Sequence, residues 1–243
     1  GTPDRVGGDF NRHDVLAAVR GALDPAGILL RNDAGVRRLE GLEEEVALAG
    51  GQVPAEIEVR EGAVRYIAAT WTGQKTGAYL DQRPNRERAG ALTPAGGRAL
   101  DCFSYHGSFA LHLARRAGSV LALDESEEAL SRGARNAALN GLGNIEWRVG
   151  DAFEALRQLD RAKQRFDIVV VDPPAFAKSK TAVPQALRGY KEINLRAMRI
   201  LAPGGILLSA SCSFHVRRPE FLATIVEAAK DSGRRLTVLE HLS

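Results

Sequence analysis

From Gly96 onward, short apolar segments alternate with helical ones. The apolar segments fall at residues 98–103, 119–124, 145–149, 166–172, 205–211 and 236–240, with helical periodicity over 107–117 and 125–140. Alternation of this kind leaves few folds open. Parallel strands need crossover connections, and helices in the crossovers cover both faces of the sheet. The expected fold class is therefore α/β, a doubly wound, Rossmann-like sheet of six strands with residues 236–240 at or near an edge. Such sheets bind ligands beyond the carboxyl ends of their strands. Four acidic residues stand at or just after those ends: Asp101, Asp124, Asp151 and Asp172.

The first 90 residues follow a different pattern and predict a small α+β domain, with the sheet domain occupying 91–243. Val15, Leu16, Val19 and Leu23 share a helical face, and Asp24-Pro25 with Gly27 closes that helix before a strand at 28–31. Residues 57–60 and 64–70 alternate like two strands around a turn at Glu61-Gly62, and 79–89 reads as a helix despite Pro84. Because the first residue is Gly1, a fragment of a longer protein is expected.

Composition narrows the class further. An apolar content of 44% with 26% charged residues suits a globular protein. No apolar run approaches the roughly 18 residues that span a bilayer, so no membrane partner is expected. The two cysteines, Cys102 and Cys212, form no CxxC pair, which argues against a zinc site or a disulfide framework and for a reducing, cytoplasmic compartment. Net charge is +3, but between residues 178 and 199 Lys178, Lys180, Arg188, Lys191, Arg196 and Arg199 face only Glu192. That stripe reads either as a phosphate-binding surface or as a solvated helix face.

Asp101-Cys102-Phe103-Ser104-Tyr105-His106-Gly107 joins the first strand of the sheet to its helix. It lacks the GxGxxG pattern of a dinucleotide site. Asp124 ends the next strand, about 20 residues on, where a carboxylate accepts hydrogen bonds from ribose hydroxyls. Asp151 follows the third strand, placed for an exocyclic amine. Together these suggest an adenosine cofactor, and S-adenosylmethionine fits because it has no pyrophosphate to cradle. Asp172-Pro173-Pro174-Ala175-Phe176 ends the fourth strand, where two prolines fix the backbone and Phe176 offers a stacking surface for a base. Ser211-Cys212-Ser213 ends the fifth, which neighbours the fourth in this topology. A thiolate there is suited to attack pyrimidine C6, with Asp172 bonding to N3 and the 4-amino group.

These residues resemble a known family. Gly73-Gln74-Lys75-Thr76-Gly77, Leu80-Asp81-Gln82-Arg83, Asp101 to Tyr105, Asp124, Asn136, Asn140-Gly141, Asp151, the run from Asp172 to Lys180, Arg188-Gly189-Tyr190-Lys191 and Ser211-Cys212-Ser213 look like the bacterial 23S ribosomal RNA cytosine-5 methyltransferases. Those are class I enzymes using S-adenosylmethionine. The looser match before Glu61, anchored at Arg37-Arg38-Leu39-Glu40-Gly41, corresponds to the family's central α+β domain. The resemblance implies that Cys212 is the nucleophile and that Asp172 contacts the cytosine. It also implies a cofactor site drawn from Arg83, Asp101, Phe103, Tyr105, Gly107, Asp124, Asp151 and Asp172, and RNA contacts at Phe176, Lys178, Lys180, Arg188 and Lys191. No metal is implied. The chain departs from the family in having His106 and Ser108 where Thr and Gly are common, in lacking the family's RNA-binding PUA domain, and in ending before its seventh strand. A base-nitrogen (guanine N7-type) RNA methyltransferase shares Asp-Gln-Arg and Asp-Pro-Pro-x-Phe but not the cysteine. A non-catalytic RNA-binding module is the remaining alternative.

Overall fold

The computed structural model describes residues 12–33, 35–39, 41–73 and 77–242. Glu40, Gln74, Lys75 and Thr76, singled out in the sequence, lie outside the described residues. The described residues form two compact units, one within 12–59 and 67–81, the other within 60–66 and 82–242.

In the first unit, helix α1 (Arg12–Leu23) precedes strand β1 (Gly27–Asn32), the short helix α2 (Val36–Leu39) and strand β2 (Glu45–Gly51). β1 and β2 pair antiparallel, with a register shift between Ile28 and Leu29. Gly51 sits at the close of this hairpin with φ +65°, where a Cβ would lie 2.0 Å from the Ala26 carbonyl oxygen. Only glycine meets both conditions. The Arg31 guanidinium donates to the carbonyls of Thr70 and Gly73, each at 2.7 Å, and so ties two segments of this unit together. Strands β3 (Glu56–Glu61) and β4 (Val64–Ala69) form a second two-stranded sheet around the predicted turn, and its residues 60–66 belong to the second unit.

A 3-10 turn at Leu80–Gln82 leads into α3 (Arg83–Leu92) of the second unit, with Pro84 in its first turn. Proline is tolerated there because that N–H has no intrahelical partner. Then come β5 (Arg98–Cys102), α4 (Ser108–Ala114), β6 (Ser119–Asp124), α5 (Glu127–Leu139), β7 (Ile145–Val149), α6 (Ala152–Arg161), β8 (Phe166–Val171), α7 (Val183–Arg199), β9 (Leu201–Ser209) and α8 (Arg218–Ser232). The five strands are parallel and ordered β7-β6-β5-β8-β9, a doubly wound, Rossmann-like sheet. Strand alternation divides its core in two. Leu100, Cys102, Leu121, Leu123, Val169 and Val171 pack on one face against α6 and α7. Ala99, Val120, Ala122, Ile168 and Val170 pack on the other against α4. Central strands buried on both faces need continuous apolar runs, and Ile168 to Val171 is one.

The expected sixth strand is absent among the described residues: 236–240 form no strand, and Leu236, Val238 and Leu239 are exposed. Local alternation makes a strand only where an edge pairs with it and buries one face. Here Glu240 instead forms an ion pair with Arg88. No described helix is long and apolar enough to cross a membrane.

One buried charge cluster braces this unit. Glu61 and Arg86 are each 2% exposed, and the Arg86 guanidinium donates twice to the Glu61 carboxylate, at 2.7 and 2.5 Å. His112 on α4 lies 3.1 Å from the same carboxylate.

Candidate active site

The residue that breaks the apolar alternation of β5 is Asp101. It shares a face with Ala99, yet it is 1% exposed and charged by nature. Its Oδ2 accepts from the Ser104 hydroxyl at 2.7 Å and from the Ala110 amide of α4 at 2.9 Å. Its Oδ1 is buried and has no hydrogen-bond partner within the protein among the described residues. Burial dominates and raises its pKa to about 7, against the two hydrogen bonds; the Asp172 and Asp124 carboxylates push the same way as burial. The acids at the ends of β5, β6 and β8 thus share one field.

The loop after β5 is bent by three left-handed residues, Phe103 (φ 63°), Tyr105 (φ 52°) and Gly107 (φ 83°). Two of them carry side chains, an arrangement that persists only where surroundings over-determine it. Here Ser104 N–H donates to the Leu123 carbonyl at 2.9 Å and Tyr105 N–H to Asp124 Oδ2 at 2.8 Å. Gly107 has a packing reason as well: a Cβ there would come within 2.4 Å of the Trp147 ring. His106 is buried and stacks on Tyr66 at 5.1 Å, and burial lowers its pKa to about 4.

Asp124 is half-buried, and its second oxygen accepts from Ser126 N–H at 2.9 Å. Asp151 is exposed and caps α6, accepting from Glu154 N–H at 2.7 Å. Arg83 is exposed on α3 and reaches Glu87 one turn on, at 3.4 Å. Its neighbour Gln82, quoted in the same motif but given no role there, makes the closer approach. The Gln82 amide donates to Asp172 Oδ1 at 3.3 Å, and Asn85 donates to the Gln82 carbonyl oxygen at 2.6 Å.

Cys212 is exposed, and its thiol lies 3.6 Å from the Pro173 carbonyl oxygen, which places it one residue from Asp172. Hydrogen bonds fix both flanks of the cysteine. Ser211 donates to the Tyr190 hydroxyl at 2.9 Å, and Tyr190 and Ser213 share a hydrogen bond of 2.8 Å. Ser213 Oγ also accepts from the Ala177 amide at 3.1 Å, joining the two strand-end loops. Tyr190 is fully buried, and no apolar or charge pattern in the sequence marks it for this role.

Phe176 is half-buried, with its ring 4.6 Å from Tyr190 and 6.1 Å from Phe153. Lys178, Lys180 and Arg188 are exposed. Lys191 is instead held by Asp231 at 2.9 Å and Glu227 at 3.3 Å. Arg196 meets Glu192 at 2.9 Å, and Arg199 lies 3.9 Å from Asp160. The basic stripe therefore divides into an exposed part near the Asp172 loop and a part paired within the protein. No group of three or more His, Cys, Asp or Glu side chains among the described residues is placed to hold a metal.

Comparison with known proteins identifies the family and the fold. The family described as S-adenosylmethionine-dependent methyltransferase matches residues 46–242. Ribosomal RNA large subunit methyltransferase I of Aeromonas salmonicida is 40% identical over 242 residues, covering 98% of this chain and 61% of the relative. The Vibrio cholerae protein of the same name is 38% identical over 241 residues, covering 97% and 60%. The chain thus spans about three-fifths of the length of the curated relatives it matches. Among solved structures, SMU.776, described as a methyltransferase and solved with SAH, has a TM-score of 0.76 at 23% identity, covering 90% of this chain and 57% of that one. A SAM-dependent methyltransferase from Agrobacterium tumefaciens has a TM-score of 0.69 at 18% identity, covering 86% and 67%. These two share the fold.

Proposed function

Because this chain belongs to the S-adenosylmethionine-dependent methyltransferase family, we propose that it methylates C5 of a cytosine in ribosomal RNA, of the 23S type, through a covalent adduct of Cys212. One observation carries the reading: an exposed thiol stands at the carboxyl end of the sheet, beside Pro173 and one residue from Asp172. The names of the curated relatives support ribosomal RNA as the substrate, and the cytoplasm is the compartment in which we place that reaction.

The residues present fit the cofactor. Asp101 Oδ1 is a buried acceptor to which no donor is offered among the described residues, and S-adenosylmethionine carries an ammonium group and a sulfonium charge. Asp124 retains lone pairs for ribose hydroxyls beyond the two amides it already accepts. In this reading Asp151 would take the adenine amine and Arg83 the carboxylate, with Phe103, Tyr105 and Gly107 in the loop that follows β5. When bound, S-adenosylmethionine supplies the electrophilic methyl group.

The remaining chemistry belongs to the chain. The Cys212 thiolate adds to C6 of the cytosine, which makes C5 nucleophilic. Asp172, oriented by Gln82, bonds to N3 and the 4-amino group as charge develops on the ring. After transfer, the C5 proton leaves to Asp172 or to a bound water, and the thiolate is expelled. Ribosomal RNA from cells lacking the gene should lose one 5-methylcytosine by mass spectrometry. Loss of a methylated base nitrogen instead would contradict the reading.

Two further results are expected. Asp101 titrates near pH 7, and a cationic ligand favours its carboxylate form. Cofactor binding should therefore release a proton and tighten between about pH 6 and pH 7.5. Calorimetry in two buffers of different ionisation enthalpy checks this; pH-independent binding without proton release would place Asp101 outside the site. For RNA, replacing Lys178, Lys180 and Arg188 by Ala should lower the salt slope of binding by roughly 0.7 for each phosphate no longer neutralised. Replacing Lys191, already ion-paired, should change it less. A triple variant with the wild-type slope would make the stripe a solvated face.

A further inference from the structure

Phe214 is 92% exposed, the highest value among the exposed large apolar side chains described, and it stands two residues from Cys212. Its exposure is not looseness. The preceding Ser213 is buried and held by the Tyr190 hydroxyl at 2.8 Å and the Ala177 amide at 3.1 Å. Val216 N–H then donates to the Ser213 carbonyl at 3.0 Å, closing a turn with Phe214 and His215 at its tip. An apolar cluster of Ala177, Ala186, Tyr190, Phe176 and Phe221 lies against this segment, yet Val216 fills it and Phe214 does not. A turn chosen only for folding would bury the larger apolar side chain. The His215 ring meets Phe214 edge-on at 5.3 Å.

We propose that Phe214 is a stacking platform for an unpaired RNA base beside Cys212. Charge selects RNA over a protein or lipid partner. The Ala177–Ser213 hydrogen bond makes Lys178 and Phe214 the next residues along two bonded segments, and Lys180 and Arg188 follow, all exposed. Aromatic faces take bases of any sequence, while cations beside them take the phosphates. The cysteine reading supplies the neighbouring target, and the proposal rests on it to that extent.

The test uses the full-length protein with a single-stranded RNA oligonucleotide and the duplex of the same sequence. Phe214→Ala should weaken single-strand binding about tenfold and duplex binding by less than about twofold, with an unchanged salt slope. Phe214→Trp should restore single-strand affinity, and cofactor affinity should not move in either variant. Single-strand binding by Phe214→Ala equal to wild type, or an equal loss on both RNAs, would overturn the proposal. Because binding is read without chemistry, the result stays separate from the cysteine mechanism. Weaker single-strand binding by Phe214→Ala, with no covalent adduct at Cys212 in the wild type, would leave the platform standing and remove the mechanism.

Discussion

Replacing Cys212 by alanine is expected to lower methyl transfer on the order of 10⁴-fold or more, as loss of a covalent nucleophile does. Cofactor affinity should stay near wild type, because the proposed cofactor residues lie on α3 and at other strand ends. The side chain is exposed, so the substitution opens no cavity and should not cost stability beyond about 0.5 kcal/mol. The second thiol provides the contrast. Cys102 is fully buried in the core of the sheet, and burial, then the Asp101 carboxylate, pushes its pKa far above the ordinary thiol range. It stays protonated and out of solvent, so it cannot take over from Cys212. A steady-state assay with a ribosomal RNA fragment, beside calorimetry with S-adenosylmethionine, checks both halves of this expectation. Substantial activity in Cys212→Ala would remove the covalent route and favour a base-nitrogen target.

The largest effect on stability should come from Glu61→Ala. The Arg86 guanidinium would then remain 2% exposed without its carboxylate, and breaking a buried pair by removing one partner costs about 3–5 kcal/mol. The same cluster sets an acid limit. Burial acts against the Glu61 carboxylate, but hydrogen bonds from Arg86 and then His112 outweigh it and hold the pKa at about 2, below the ordinary 4.5. A carboxyl group depressed on folding contributes stability that is fully present above its unfolded pKa. That contribution is lost as pH falls through the folded value. Urea unfolding should thus show stability declining from about pH 4.5 towards pH 2, with a shallower decline in Glu61→Ala. Equal acid sensitivity in both proteins would place the titrating group elsewhere.

The sheet is legible in the sequence because its pattern is local. Strands β6 and β7 match their expected bounds, and β5 and β8 end one residue early, at Cys102 and Val171. The end of β8 frees Asp172 for the loop. Strand β9 begins at Leu201 rather than at Gly205, across Pro203-Gly204-Gly205, where only register with β8 supplies the signal. Strand β2, Glu-Val-Ala-Leu-Ala-Gly-Gly, escapes the pattern for the same reason, since alanine and glycine have weak strand preference and pairing with β1 decides. The opposite error, a strand at 236–240, takes alternation as sufficient without a paired edge. At the site, acids at strand ends stand out because they interrupt buried apolar runs. Gln82 and Tyr190 fall inside quoted motifs without a role, and Asn85 and Phe214 outside them, because what they do comes from hydrogen bonds and exposure that arise only when distant segments meet. Gln82 and Arg83 are adjacent in sequence, and only the turn at Leu80–Gln82 decides which of them reaches Asp172.

The central claim is a covalent bond between Cys212 and cytosine C6, and it can be caught directly. In RNA carrying 5-fluorocytosine at the target, transfer proceeds but fluorine replaces the proton whose removal expels the thiolate. With S-adenosylmethionine present, wild-type protein should migrate as a covalent RNA complex on a denaturing gel, and peptide mapping should place the RNA on Cys212. The Cys212→Ala protein should give no such band. Multiple turnovers on the fluorinated RNA without a trapped species, from protein that methylates ordinary RNA, would contradict the account.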